Sequence, residues 1–311
     1  MSSQKSTTVR TSFARRQRAV QTAFGVLERV APQLGARWAE RLWFTLPAVP
    51  ARARRARVDL PPGESFVVDH EGHDVRGFAW GSGPPVYLVH GWGGWGLQLA
   101  AYVPPLVGAG FRVITYDALS HGVSDPGRHG PRSTTLLEMA DVLHTVVRRF
   151  GPAHAVVAHS IGAAATAHAM REGFEPGRLV FVAAANSFDD SVDVFARMLG
   201  FGPRIRRRLL ERFLRRIGVP IQHFDVSGIG ADLLATEGTL PPLLAIHDRD
   251  DHDTPHSGSV TITEGWPDAV LRSTDGLGHR QVLWHPVLVA EVTDYLARPA
   301  AADHEQDRMA G

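Results

Sequence analysis

From Pro85 to Ala297 the chain alternates short apolar runs with helical segments, and this alternation leaves few folds open. Pro85–His90, Phe111–Tyr116, Ala155–His159, Leu179–Ala184, Leu243–His247 and Ala269–Ser273 have the length and composition of strands. Helical stretches lie between or after them at Leu97–Gly108, Ser133–Phe150, Ile161–Arg171 and Pro286–Ala297. Buried strands separated by helices predict an α/β class, a mostly parallel sheet with helices on both faces. A hairpin precedes it, Ser65–Asp69 and Val75–Trp80 about the polar turn His70–Asp74.

Between Asn186 and Thr239 the alternation stops. No strand pattern occurs there, and Arg204–Ile217 sets Leu209, Leu210, Phe213, Leu214 and Ile217 along one helical face. A helix-only insert in a parallel sheet reads as a cap over the strands' C-terminal edge, where ligands bind in such folds. The expected organisation is a basic amphipathic helical segment at 1–57, a core at 58–185 and 240–298, a helical cap at 186–239 and a flexible tail at 299–311. Residues 1–12 are Ser/Thr-rich and read as loose. After them Val20, Phe24, Leu27, Ala31, Leu34, Trp38 and Leu42 recur at helical steps, with Pro32 and Gly35 dividing them into two helices.

The net charge over 311 residues is only +1, so bulk charge points to no nucleic-acid partner. It is unevenly spread. Met1–Arg57 holds twelve Lys or Arg against two acids, and Arg197–Arg216 eight arginines against one acid. Packing on the protein itself is the default for both stretches; peripheral membrane contact and steering of anionic substrates are less favoured. The absence of cysteine excludes a disulfide framework, a thiolate metal centre and a Cys nucleophile, and suits the cytoplasm. Neither a signal peptide nor an apolar run of about 18 residues is evident.

The sharpest local signal is Val156-Val157-Ala158-His159-Ser160-Ile161-Gly162-Ala163. A buried strand runs into a helix with a serine at the corner and small residues two positions either side, as a nucleophile elbow requires. The plainer reading is that Ser160 caps the helix. A serine nucleophile needs a base, and His279 lies in a glycine-rich loop after the last strand. The base needs a carboxylate, and the preceding strand ends in Asp248, Asp250, Asp251 and Asp253, which compete. A metal site from His247, Asp248, Asp250, His252 and His256 fits no standard spacing, so no metal is expected. For the oxyanion, the N–H groups of Ile161 and Trp92 are the candidate donors. Trp92, Trp95 and His159 are candidate substrate contacts, although the two tryptophans serve equally as core cover.

Gly91-Trp92-Gly93-Gly94-Trp95-Gly96 also matches the dinucleotide pattern G-x-G-x-x-G, with Asp117 ending the next strand. That oxidoreductase reading leaves Ser160, Asp251 and His279 as three coincidences, and a hairpin stands where the first βαβ unit should begin.

Together these motifs resemble the α/β-hydrolase superfamily over roughly Ser65 to Arg298. The matches run in chain order: His90-Gly91-Trp92-Gly93, then Asp117 to Asp125, then Ala158-His159-Ser160-Ile161-Gly162, then Gly278-His279. In the family the acid is commonly followed four residues later by proline, so Pro255 selects Asp251, with Asp250 second. Ala158, Leu119-Ser120 and Asp248 depart from the family's usual glycine, Pro-Gly and glycine. The Trp/Gly-rich turn looks most like uncharacterised bacterial esterase-like members. The resemblance implies a serine hydrolase acting on a small-molecule carboxylic ester through an acyl-enzyme, without a cofactor. A peptidase, thioesterase or acyltransferase would use the same residues, and a non-catalytic ligand-binding homologue would keep them.

Overall fold

The computed structural model describes residues 3–49, 54 and 58–298, with side chains from residue 15 onward. The expected tail and most of the basic stretch at 52–57 lie outside those residues. The chain opens with α1 (Ser3–Val30) and α2 (Pro32–Trp43), followed by β1 (Glu64–His70), β2 (His73–Trp80) and β3 (Pro85–Val89). Next come α3 (Val103–Gly108), β4 (Arg112–Tyr116), α4 (Leu136–Phe150), β5 (Ala155–His159), α5 (Ile161–Arg171) and β6 (Leu179–Val182). Three helices follow, α6 (Phe188–Leu199), α7 (Pro203–Ile217) and α8 (Val226–Glu237). The chain then runs through β7 (Leu243–Asp248), α9 (His256–Glu264), β8 (Ala269–Thr274), α10 (Gly278–Gln281) and α11 (Pro286–Ala297).

By contacts the chain divides into two compact units, 1–45 with 187–224 and 46–186 with 225–311. The second holds one eight-stranded sheet in the order β1-β2-β4-β3-β5-β6-β7-β8. Only β2 runs antiparallel to its neighbours; β3 to β8 are parallel. The central strands β5, β6 and β7 are buried at every position, which explains their unbroken apolar runs. Against β5 and β3 packs α5, whose Ala-rich sequence lets every residue from Gly162 to Met170 be buried. The outermost strand β8 alternates between exposed and half-buried over its first four residues, as a sheet edge does. From β3 the chain moves one way to β4 and the other way to β5. The strand order therefore reverses there, and the loops after β3 and β5 open onto a shared crevice.

Three local differences from the sequence reading have physical causes. The helix expected from Ser133 or Thr134 starts at Leu136, because Thr135 is the residue whose hydroxyl accepts the Glu138 N–H, at 3.2 Å. Pro104 and Pro105 split the expected Leu97–Gly108 helix into a 3-10 stretch, Gly96–Tyr102, and α3, where proline sits in the first turn and needs no donor. Helix α1 takes in the Ser/Thr-rich start that read as loose.

The first unit joins the N-terminal helices to α6 and α7, whereas α8, read as part of the cap, belongs to the sheet unit. Helix α7 turns Ile205, Leu209 and Phe213 inward. Gly35 lets α2 approach it, since a Cβ there would lie 2.4 Å from Ile205. Phe24 stacks on Trp38 at 4.5 Å and touches Phe201 at 5.6 Å. Glu28 accepts the N–H groups of Gly202, Arg204 and Ile205 at 2.8–3.1 Å, neutralising the amino end of α7, which has no side-chain cap of its own.

Candidate active site

Ser160 sits between β5 and α5 with φ 57° and ψ −125°, a strained conformation for a residue with a side chain. Its side chain makes no cap bond, so the helix-cap reading of this serine does not hold. The corner is tightly enclosed. A Cβ at Gly162 would lie 2.7 Å from the His90 carbonyl oxygen, and one at Gly91 would lie 2.9 Å from the Cβ of Ser160. The turn after β3 is thus pressed against the serine, and both glycines are required by close approach. Ala158 is wholly buried and paired with Val89 and Phe181, so the sheet accommodates the extra methyl.

In the loops after β7 and β8, Asp251 accepts the His279 Nδ1–H at 2.7 Å, with the Asp251 side chain fully buried and that of His279 11% exposed. This carboxylate is heavily bound. Its Oδ1 accepts the N–H groups of Asp253 and Thr254 at 2.8 and 3.0 Å, and the Thr254 hydroxyl lies 3.0 Å from Oδ2. Burial alone would raise its pKa. The hydrogen bonds from His247 and His279 and the Thr254 N–H outweigh burial and hold the carboxyl far below the usual range, so it is ionised.

His247 is the residue the sequence reading assigned to a discarded metal site. It is fully buried, with Nε2 3.1 Å from the Thr254 carbonyl and 3.3 Å from Asp251 Oδ2. Its Nδ1 lies 2.7 Å from the Ser259 hydroxyl, within hydrogen-bond distance. The imidazole therefore contacts the same carboxylate oxygen, Oδ2, that accepts the His279 Nδ1–H. Only its spacing of four before Asp251 hinted at this. Asp250, second choice as acid, accepts the Gly276 N–H at 3.0 Å instead. Among the described residues no three His, Asp or Glu converge to hold a metal ion.

His159 is buried, its ring 4.7 Å from that of His279. Its Nε2–H donates to the His279 carbonyl at 3.1 Å, leaving Nδ1 buried beside Gly91 without a hydrogen-bond partner. Burial and the adjacent His279 hold its pKa well below the ordinary histidine value, so the ring is neutral. Ile161 is the first residue of α5, where an N–H has no intrahelical acceptor. Trp92 is half-buried with its ring edge-on to His121 at 6.3 Å. Trp95 faces a cavity whose lining includes none of Ser160, Asp251 and His279. That cavity, of about 380 Å³, is lined also by Arg54, Phe66, Phe78, Thr115 and Tyr116, over β1, β2 and β4. Asp117, the residue a dinucleotide site would use for a ribose, is spent within its own loops. Its two oxygens accept the N–H groups of Gly96 and Val123 at 2.7 and 2.8 Å.

Over residues 86–309 the chain matches the model of the alpha/beta hydrolase family. The chain belongs to that family. Solved structures agree on the fold of this alpha/beta hydrolase. An esterase from Exiguobacterium antarcticum superposes with a TM-score of 0.59 at 16% identity, covering 76% of this chain and 100% of its own. A bromoperoxidase from Bacillus anthracis gives 0.55 at 18% identity, covering 75% and 99%. Est1E from Butyrivibrio proteoclasticus, solved with ferulic acid, gives 0.55 at 16% identity, covering 75% and 96%. No curated protein matches the hydrolase by sequence.

Proposed function

We propose that the chain is a serine hydrolase cleaving a small-molecule carboxylic ester through an acyl-enzyme. The observations that support this reading are the buried, ionised Asp251 bonded to His279 at 2.7 Å and, on the β5–α5 corner, a strained serine whose side chain makes no cap bond. In the reaction the Ser160 Oγ adds to the ester carbonyl as its proton passes to the Nε2 of His279. The imidazolium, held by Asp251, returns that proton to the departing alkoxide, releasing an alcohol and leaving Ser160 acylated. Water then adds to the acyl carbon, its proton moves to His279 and on to the Ser160 oxygen, and a carboxylic acid leaves. The Ile161 and Trp92 N–H groups receive the oxyanion, a contact whose loss typically costs about 100- to 1000-fold in turnover. The cysteine-free composition suits a cytoplasmic setting.

A fluorophosphonate probe should label the wild-type chain and leave Ser160→Ala unlabelled while its circular dichroism is unchanged. Labelling of that variant would refute the assignment. Nitrophenyl esters of graded chain length, with aminoacyl amides alongside, then separate ester from amide cleavage.

A further inference from the structure

The helical unit divides its charges in an unusual way. Residues 1–45 and 187–224 carry sixteen Lys or Arg against six acids, and the rest of the chain seventeen against twenty-six. Four of those six acids are turned to internal partners. Glu28 caps α7, Glu40 pairs with Arg212, and Asp189 and Asp193 both hold Arg206, at 2.9 and 2.6 Å. Glu211 pairs with Arg207 at 4.0 Å and Asp190 is exposed, but the other arginines facing water, among them Arg15, Arg16, Arg18, Arg29, Arg37 and Arg204, leave the surface predominantly positive.

At one corner of the unit this positive surface surrounds apolar side chains. Val26 and Val30, one helical turn apart on α1, are 51% and 73% exposed, and Leu34 in the first turn of α2 is 58% exposed. Arg29 lies between the two valines in sequence, exposed Arg37 follows Leu34, and Arg204 reaches in to donate to the Arg29 carbonyl at 3.2 Å. We propose that this corner docks the unit onto an anionic lipid bilayer, the three aliphatic side chains entering the headgroup boundary while the arginines meet lipid phosphates. Aliphatic side chains gain from a bilayer and offer nothing to a nucleic acid, which stacks on aromatic rings and hydrogen-bonds to polar groups. The inference rests on this surface alone and does not depend on the hydrolytic reading.

The test is flotation of the full chain with phosphatidylcholine vesicles containing roughly a third phosphatidylglycerol, against vesicles of phosphatidylcholine alone. Binding should require the anionic lipid and fall sharply as salt is raised. Val30→Asp with Leu34→Asp should weaken it at least about tenfold, and Arg29→Ala or Arg37→Ala about fivefold each. All four positions are exposed, and circular dichroism checks the fold. No flotation at low salt overturns the proposal. So does binding that survives the aspartate pair unchanged, or duplex DNA displacing the chain from vesicles and binding the aspartate pair as well as the wild type, which would mark an unselective polyanion surface.

Discussion

The loops on the two sides of Ser160 are held by different chemistry. On the base side, buried carboxylates collect donors. Asp248 accepts the Thr274 hydroxyl at 2.7 Å and the N–H groups of Leu277 and Asp250 at 3.0 Å, tying the loop after β7 to the loop that carries His279. On the other side neutral imidazoles do most of the tying. His90 accepts the Ala118 N–H at 3.0 Å and donates to the Gly91 carbonyl, while His121 accepts the Gly93 N–H at 3.1 Å and donates to the Leu119 carbonyl. Each ring uses one nitrogen as acceptor and the other as donor, an arrangement open only to the neutral form. A carboxylate network strengthens with charge; an imidazole clamp is lost with it. The two sides should therefore fail under different conditions.

The largest effect expected is from Asp251→Asn, which leaves the shape but disturbs the tautomer of His279. Turnover should drop about 10⁴-fold, and stability should fall too because the amide NH₂ would meet buried donors; steady-state kinetics on an active ester would show the loss of turnover. A loss under tenfold would move the acid elsewhere. Asp248→Ala should cost roughly 3 kcal/mol in denaturant unfolding, because buried donors in two loops lose their acceptor together. Unchanged stability would mean that the carboxylate bridge is idle.

Acid should attack the imidazole side first. Burial, reinforced by His90, lowers the pKa of His121 to about 3, whereas an unfolded histidine titrates near 6.5. As pH falls through that window the unfolded chain gains a proton the folded chain refuses, so stability is lost. For His121 alone this amounts to roughly 2 kcal/mol between about pH 8 and pH 5. A flat stability profile there, or one unaltered in His121→Gln, would contradict the comparison. The carboxyls of Asp248 and Asp251 lie below their ordinary range despite burial, because hydrogen bonds outweigh it. Their contribution holds above about pH 4 and is lost only below it. The smallest effect concerns Ser120, at φ 65°, whose hydroxyl donates to the Gly130 carbonyl and accepts the Gly127 N–H, both at 3.0 Å. Ser120→Ala loses both bonds and keeps the strain, while Ser120→Gly relieves it, so thermal unfolding should rank glycine above alanine by about 1 kcal/mol.

The sheet was legible because fully buried strands impose unbroken apolar runs; Ser160 was placed at the end of β5 and His279 in the loop after the last strand, which the structure turns into α10. Asp251 was separable from its three neighbours only through Pro255, which resemblance supplied. His247 and Asp248 were not legible as supports. Asp248 reaches Thr274 and Leu277 across 26 and 29 residues, and no local pattern records a pairing between two strand ends. The direction of the Trp95 ring was not legible for a related reason. Sequence proximity to Gly91 does not set which side of a turn a ring takes, and this one faces the antiparallel end of the sheet.

The Glu28 cap on α7 also bears on how this protein can be shortened. The recognisable family region begins at residue 86, and trimming to it would discard the carboxylate that three amides some 175 positions downstream depend on. It would also strip the cover from Ile205, Leu209 and Phe213. A chain started there should come off a sizing column as aggregate, whereas one that keeps Arg15 onward should elute as a discrete species.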